Sequence, residues 1–364
     1  MNEAHSELDT RFMRRALALA ERGAGHVSPN PLVGAVVVKE EAIVGEGWHA
    51  VVGSDHAEVV ALRNAGENAK GATIYVNLEP CNHTGRTPPC VDAIIAAGIA
   101  RVVFAISDPN PIARGGGDSL RTAGIEVVTD VLSSDASELN QSFLFAARGA
   151  VRPWITLKLA LSIDGAVVDK SRVRGWLTGA EAQRAVHVLR ANSDAVAVGI
   201  GTVLADDPML TVREAAAPRV PPIRVLFDRA ARIPLGSQLV KSAHDSPVLL
   251  LTQGKSASRE MALKAAGLEI VRVNDIREGM EALRARGVRS LLVEGGAVMA
   301  SALMVADLVD RLIIFQAPVI LGRDAVGAFS GAPPQRAGSA PRFRVIARRE
   351  LGADLMTIYA VSTD

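Results

Sequence analysis

The sequence predicts an α/β protein made of two different domains, and three observations carry that reading. At 364 residues the chain exceeds the size at which a single core stops growing. Short apolar strands alternate with helix-period segments through both halves, the pattern of sheets covered by helices. The stretch ARGAVRP (147–153) interrupts the alternation, after which a second and dissimilar series begins. The boundary is therefore expected at 148/149, giving domains 1–148 and 149–364, with no internal repeat.

A helix is predicted from Asp9, where Phe12, Met13, Ala16, Leu17 and Ala20 recur at helical spacing behind an Asp/Thr cap. LVGAVVV (32–38) and AIVGEGW (42–48), joined by Lys39, Glu40 and Glu41, read as a hairpin. A helix over 57–65, a strand ATIYVNL (72–78), a helix VDAIIAAG (91–98) and a strand RVVFAI (101–106) follow. A helix near 117–124, a strand IEVV (125–128) and one continuous helix over 135–148 close the half, so its sheet should be mixed. The second half opens with WITLKLAL (154–161) and continues through AVAVG (195–199), IRVLFD (223–228), PVLLLT (247–252) and SLLVEGG (290–296). EAAAPRVPP (214–222) and SGAPPQRAGSAPR (330–342) are proline-rich connections.

Hydrophobic residues at 49% and charged residues at 22% describe a soluble globular chain. The net charge of +1 supplies no basic field for nucleic acid or membrane, and 4% aromatics supply no stacking platform. The N-terminus MNEAHSELDT is polar and acidic, unlike a secretory signal or a transit peptide, so a cytoplasmic protein is expected. There a structural disulfide between the two cysteines, Cys81 and Cys90, would be unusual.

Two thiols need a third ligand to form a catalytic zinc site. His56 opens the helical stretch HAEVVAL, with Glu58 two residues on, and Pro80-Cys81 and a helix-opening Cys90 follow a strand. This order matches the zinc deaminase signature of H-x-E followed by P-C and a second cysteine. One imidazole and two thiolates would neutralise Zn²⁺ and leave a position for water, whose pKa falls to about 7. Glu58 would then move a proton from that water to a ring nitrogen and the leaving amine. Two bland alternatives stay open at this point: a buried, inert cysteine pair, and a closed structural zinc site that recruits His83.

SPNPLVGAVVV (28–38), GEGWH (45–49), HAEVVALRNAG (56–66), LEPCNHTGRTPPC (78–90) and SDPNP (107–111) resemble the deaminase domain of the bifunctional diaminohydroxyphosphoribosylaminopyrimidine deaminase/reductase family of riboflavin biosynthesis. The eight residues between the cysteines, against two in most zinc deaminases, narrow the match to this family. The resemblance implies a cytidine-deaminase-like fold in which His83, Arg86 and Thr87 contact the pyrimidine and ribose phosphate. Asn30, His49 and Asn110 complete the substrate pocket by the same analogy.

The second half is less diagnostic by itself. GIGTVL (199–204) has Leu204 in place of the third glycine of a dinucleotide fingerprint. SLLVEGGAVMASALM (290–304) reads as strand, turn and a helix start whose amides could hold a pyrophosphate, or as a plain tight turn. LKLALSIDG (157–165), VGIGTVLADDPMLTVR (198–213), VEGG (293–296) and APVILG (317–322) resemble the reductase domain of the same family. That resemblance implies a dihydrofolate-reductase-like fold that uses NADPH. It places Ala160, Trp176, Thr202, Asp206 and the helix start Gly296, Ala297, Val298, Met299, Ala300, Ser301 and Ala302 against the cofactor, with Arg229 a candidate for its 2′-phosphate. Arg190, Leu210, Arg213 and Glu294 would hold substrate, Arg174 stands where the family has a serine substrate contact, and Asp206 is the candidate proton donor. Ala166, Arg174 and Gln183 depart from the family pattern, which leaves an alternative: an active zinc deaminase with an impaired, mainly structural reductase domain. The expected ligands are Zn²⁺, NADPH and phosphorylated pyrimidines, and the expected assembly is a homo-oligomer, dimeric or tetrameric.

Overall fold

The alternation of apolar runs resolves, in a computed structural model, into two compact units, Met1–Ala150 and Val151–Asp364. The structure describes residues 6–83, 88–170, 177–254, 256–333, 336, 338 and 340–361.

In the first unit α1 (Glu7–Ala20) starts at Ser6, whose hydroxyl accepts from the Asp9 amide at 3.0 Å. The expected hairpin is β1 (Gly34–Lys39) and β2 (Ala42–Trp48), antiparallel, with Glu40 and Glu41 both at positive φ in the turn. There follow α2 (Ala57–Ala65), β3 (Thr73–Val76), α3 (Cys90–Ala96), β4 (Arg101–Phe104), α4 (Gly116–Thr122) and β5 (Glu126–Val128). The sheet order is β2-β1-β3-β4-β5, antiparallel on both sides of β1 and parallel from β3 to β5, hence mixed. Period-two alternation sends Ile74 and Val76 to the core under α2 and α3, and Tyr75 to the core under α1. A Cβ at Gly45 or Gly47 would lie 2.3 Å from Ala61 O or 2.4 Å from Ala57 O. These two bare positions let α2, which carries Glu58, lie directly on β2.

The single helix expected over 135–148 is two: α5 (Ser133–Leu139) and α6 (Gln141–Ala147). Asn140 breaks it, because its side-chain amide pairs with the Leu32 backbone, accepting from Leu32 N at 2.8 Å and donating to Leu32 O at 2.9 Å. Asn140 sits at φ −108°, ψ 19° to make that reach, off the helical path.

The second unit runs β6 (Trp154–Leu161), β7 (Ala166–Val168), α7 (Ala180–Ala191), β8 (Ala195–Gly199), α8 (Ile200–Asp206) and β9 (Ile223–Phe227). It continues with α9 (Gln238–Lys241), β10 (Val248–Thr252), α10 (Ala257–Ala265), β11 (Glu269–Arg272), α11 (Ile276–Ala285) and β12 (Ser290–Glu294). It ends with α12 (Ala297–Val305), β13 (Arg311–Gln316), β14 (Val326–Gly327), β15 (Phe343–Leu351) and β16 (Asp354–Val361). Nine strands form one sheet in the order β11-β10-β9-β8-β12-β6-β13-β16-β15, parallel through β13 and antiparallel at β16 and β15. Such a sheet opens its ligand crevice at the carboxyl ends of the parallel strands. Among the described residues no helix is long and apolar enough to cross a membrane.

Candidate functional site

His56 is the N-cap of α2 and Cys90 the first residue of α3, so two of the three expected ligands stand on rigid helix ends. Cys81 follows β3 on a segment tied down by its own backbone: Glu79 N donates to Ile106 O, and Asn82 N to Ala113 O. His56 Nδ1 lies 3.1 Å from Cys90 Sγ and 3.5 Å from Cys81 Sγ, and all three donor atoms fall within 4.8 Å of one another. A tetrahedral zinc with bonds of about 2.0–2.3 Å requires donor separations of about 3.5–3.8 Å. The His56–Cys81 pair has that spacing, the His56–Cys90 pair at 3.1 Å is tighter by a few tenths of an ångström, and the imidazole and two thiols are the donor chemistry zinc takes. Both thiols are free, which excludes a disulfide between them. The hydrogen bond from the Cys90 thiol, seconded by His56, pulls the Cys81 thiol down to about 4. Sharing its proton with Cys81, and burial, push Cys90 up.

A cavity of about 590 Å³ opens beside the trio. Its wall gathers Asn30, His49, His56, Glu58, Cys81, His83 and Asn110, which the sequence scatters over eighty positions. Glu58 is 4% exposed, and burial raises its carboxyl above the usual range. His49 Nδ1 lies 3.2 Å from Asp55 O, which can only accept, so that nitrogen carries the proton. The other nitrogen, Nε2, therefore accepts from Asn30 Nδ2 at 3.1 Å, and burial keeps the ring neutral. His83 Nδ1 is buried with no hydrogen-bond partner among the described residues. Arg86 and Thr87 lie outside the described residues.

Several wall residues escaped the sequence reading, among them Phe143, Asp108 and Glu79. Phe143 reaches the cavity from α6, and its sequence position carries no signal. Asp108 lies within SDPNP, 9% exposed, its carboxyl raised by burial while Oδ1 accepts from Asn110 N at 2.8 Å. Glu79, 7% exposed, directly precedes the Pro-Cys pair that drew attention to the segment.

In the second unit the carboxyl ends of β8, β12 and β6 lie side by side, with α8 and α12 starting just beyond. Gly296 caps α12, and a Cβ there would sit 3.7 Å from Thr202 Oγ1, so the two predicted cofactor segments adjoin. Ala297, Met299, Ala300 and Ser301 are buried, whereas Val298 and Ala302 are exposed. Ala160 is near the end of β6, Asp206 ends α8, and Arg229 is exposed past β9. Arg190 on α7 makes a two-pronged ion pair with Glu294, at 2.5 and 2.9 Å, and donates to Thr211 O at 2.9 Å. That last bond fixes the segment holding buried Leu210 and exposed Arg213. Burial alone would raise Glu294, but Arg190 and Lys158 more than offset it and hold the carboxyl low. Lys158, opposite Glu294 across the β6–β12 ladder, was missed by the sequence reading; burial lowers its ammonium. Arg174 and Trp176 lie outside the described residues.

Residues 6–106 match the cytidine and deoxycytidylate deaminase zinc-binding region, and residues 153–357 match the RibD C-terminal domain. A zinc-binding deaminase fold followed by a reductase fold defines the class: a bifunctional deaminase–reductase. The chain belongs to the RibD family of riboflavin biosynthesis. The riboflavin biosynthesis protein RibD of Escherichia coli is 42% identical over 95% of this chain and 98% of its own length. That of Aquifex aeolicus is 42% identical over 87% and 88%. Acinetobacter baumannii RibD superposes with a TM-score of 0.84 at 36% identity, over 98% of this chain and 99% of its own. A Thermotoga maritima structure, described as a diaminohydroxyphosphoribosylaminopyrimidine deaminase/5-amino-6-(5-phosphoribosylamino)uracil reductase, gives 0.85 at 33% identity over 98% and 99%.

Proposed function

We propose that the first unit deaminates 2,5-diamino-6-ribosylamino-4(3H)-pyrimidinone 5′-phosphate by hydrolysis. The second unit then uses NADPH to reduce the ribosyl group, giving 5-amino-6-(5-phosphoribitylamino)uracil. The observation that carries the reading is the His56, Cys81 and Cys90 donor set beside the buried Glu58 on one cavity wall. His56, Cys81 and Cys90 would hold Zn²⁺, which when bound supplies Lewis acidity to the hydrolytic water. Glu58 accepts one proton of the attacking water and passes it to the ring nitrogen, then carries the second, from the added hydroxyl, to the amine, which departs as ammonia. A carboxyl raised by burial suits both halves of that exchange at neutral pH. Asn30, oriented by His49, presents its carbonyl oxygen as an acceptor for a pyrimidine N–H.

In the second unit the starts of α8 and α12 would hold NADPH, which when bound supplies the hydride for the ribose C1′. Arg190 and Glu294 shape the substrate side, and Asp206 is the candidate acid that assists ring opening. Ala166 and Gln183 favour a second reading, deamination with a weakened reductase, since Ala166, the first residue of β7, is buried and Gln183 Nε2 is spent on Thr178 O.

Glu58→Gln should lower ammonia release by about 10²–10⁴-fold with zinc still bound at the wild-type level. Undiminished ammonia release would sink the shuttle role. NADPH oxidation by the zinc-loaded chain, supplied with the deaminated intermediate, separates the two readings of the second unit.

A further inference from the structure

Glu79 has no place in the chemistry above, yet among the described residues its carboxylate accepts three backbone hydrogen bonds beside the first unit's site. Oε2 accepts from Asp108 N at 3.0 Å, and Oε1 from Gly115 N at 3.1 Å and Gly117 N at 3.0 Å. Three backbone amides, two from the β4–α4 connection and one from the first turn of α4, thus converge on a side chain two residues before Cys81. The surroundings are built for that approach. Gly115 is at φ +92°, and a Cβ at Gly116 would fall 1.9 Å from Pro80 O. A Cβ at Gly117 would meet the Phe104 ring at 3.1 Å. Asn82 closes the other end, with Nδ2 donating to Ser119 Oγ at 2.9 Å. The loop so held carries Asp108 and Asn110 on the cavity wall.

We infer that Glu79 is a positioning residue that fastens the substrate-facing loop 108–117 to the Cys81 segment. This rests on the deaminase reading of the first unit. Hydrogen bonds from neutral amides to an ionised carboxylate are stronger than amide–amide bonds, and two oxygens are needed to serve both ends of the loop. A glutamine keeps the shape but has one acceptor oxygen. Its NH₂ would face either Asp108 N–H or the Gly115 and Gly117 pair, donor against donor. The loop then loosens while His56, Cys81 and Cys90 stay where they are.

The test compares Glu79→Gln with the wild-type full chain by zinc content, amide hydrogen exchange and steady-state ammonia release. The expected result is zinc at the wild-type level and faster exchange confined to 108–117. The deaminase KM should rise about tenfold or more, with kcat reduced far less, the signature of lost binding rather than lost chemistry. Glu79→Asp, which keeps the charge but shortens the reach by about 1.5 Å, should show the same pattern more weakly, and serves if the glutamine variant does not fold. Unchanged exchange in 108–117, an unchanged KM, or loss of zinc would each overturn the inference. Absence of ammonia release from zinc-loaded wild type is instead the failure of the deaminase reading. In that event the exchange pattern still decides whether Glu79 anchors the loop.

Discussion

At the scale of single residues the site is set by who can donate. Asp55 O can only accept, so His49 carries its proton on Nδ1 and offers Nε2 to Asn30 Nδ2, which fixes the donor end of the Asn30 amide. Asn30 and His49 therefore act as a unit. Asn30→Ala and His49→Ala should each raise the deaminase KM, and the double variant should cost less than their sum by about 1 kcal/mol. Strict additivity in that cycle would show that the 3.1 Å contact does not orient the amide. The family resemblance pointed to both residues, whereas His56, Glu58, Cys81 and Cys90 were readable from the residues themselves, because metal and proton-transfer chemistry restrict residue type and leave a readable order. Glu79 and Asp108 were not legible. Their partners are backbone amides brought near by the β4–α4 connection, and a carboxylate that accepts from backbone leaves no mark on which residues surround it. Lys158 hid for another reason: inside WITLKLAL a lysine reads as the polar member of an alternating strand, and only the ladder shows it opposite Glu294.

At the scale of elements, the five strands of the first unit and the parallel strands β6, β8, β9, β10 and β12 were legible as apolar runs, whereas β7, β11, β13, β14, β15 and β16 went unread. In β15 the sequence FRVIARREL places exposed charges along a strand with no neighbour beyond it, so no clean alternation survives. The break between α5 and α6 was invisible for a similar reason, since the Leu32 backbone that captures Asn140 lies 108 positions away. Asn140→Ala should strip Leu32 N–H of its acceptor and cost about 1–3 kcal/mol, read as a lower unfolding midpoint in urea. The dock of α1 on the sheet has a pH signature. Asp9 takes both prongs of Arg101, at 2.8 and 2.9 Å, and the Tyr75 hydroxyl at 2.9 Å. Those bonds, Arg101 first, hold its carboxyl below the usual value of 3.8. The stabilisation is complete above the carboxyl's unfolded pKa and is lost as pH falls through its lower folded pKa. Asp9→Asn should therefore destabilise the first unit by about 2 kcal/mol at neutral pH, and the difference from wild type should shrink below about pH 4. A difference that stays constant with pH would show that the dock owes nothing to the charge.

At the scale of the whole molecule, each unit has its own cores. Phe12, Ile74 and Val102 lie fully inside clusters of the first, and Leu157, Val225 and Phe315 inside clusters of the second. The candidate metal ligands belong to the first unit alone, and the crevice at the ends of β6, β8 and β12 draws on neither cysteine. Metal removal should accordingly divide the two activities. Binding restricted to the folded state stabilises that state by mass action, and a structure with three ligands already converged loses that contribution when the ion leaves. Dialysis against a chelator should abolish ammonia release and lower the unfolding temperature of the first unit. NADPH oxidation with the deaminated intermediate should continue at its wild-type rate, and added Zn²⁺ should restore ammonia release. Cys90→Ser should mimic the chelated state without a chelator, because an alcohol is a far poorer zinc ligand than a thiolate. If chelation stopped NADPH oxidation as well, the second unit's reaction would depend on metal or on the first unit's integrity, and the assignment of one chemistry to each unit would have to be withdrawn.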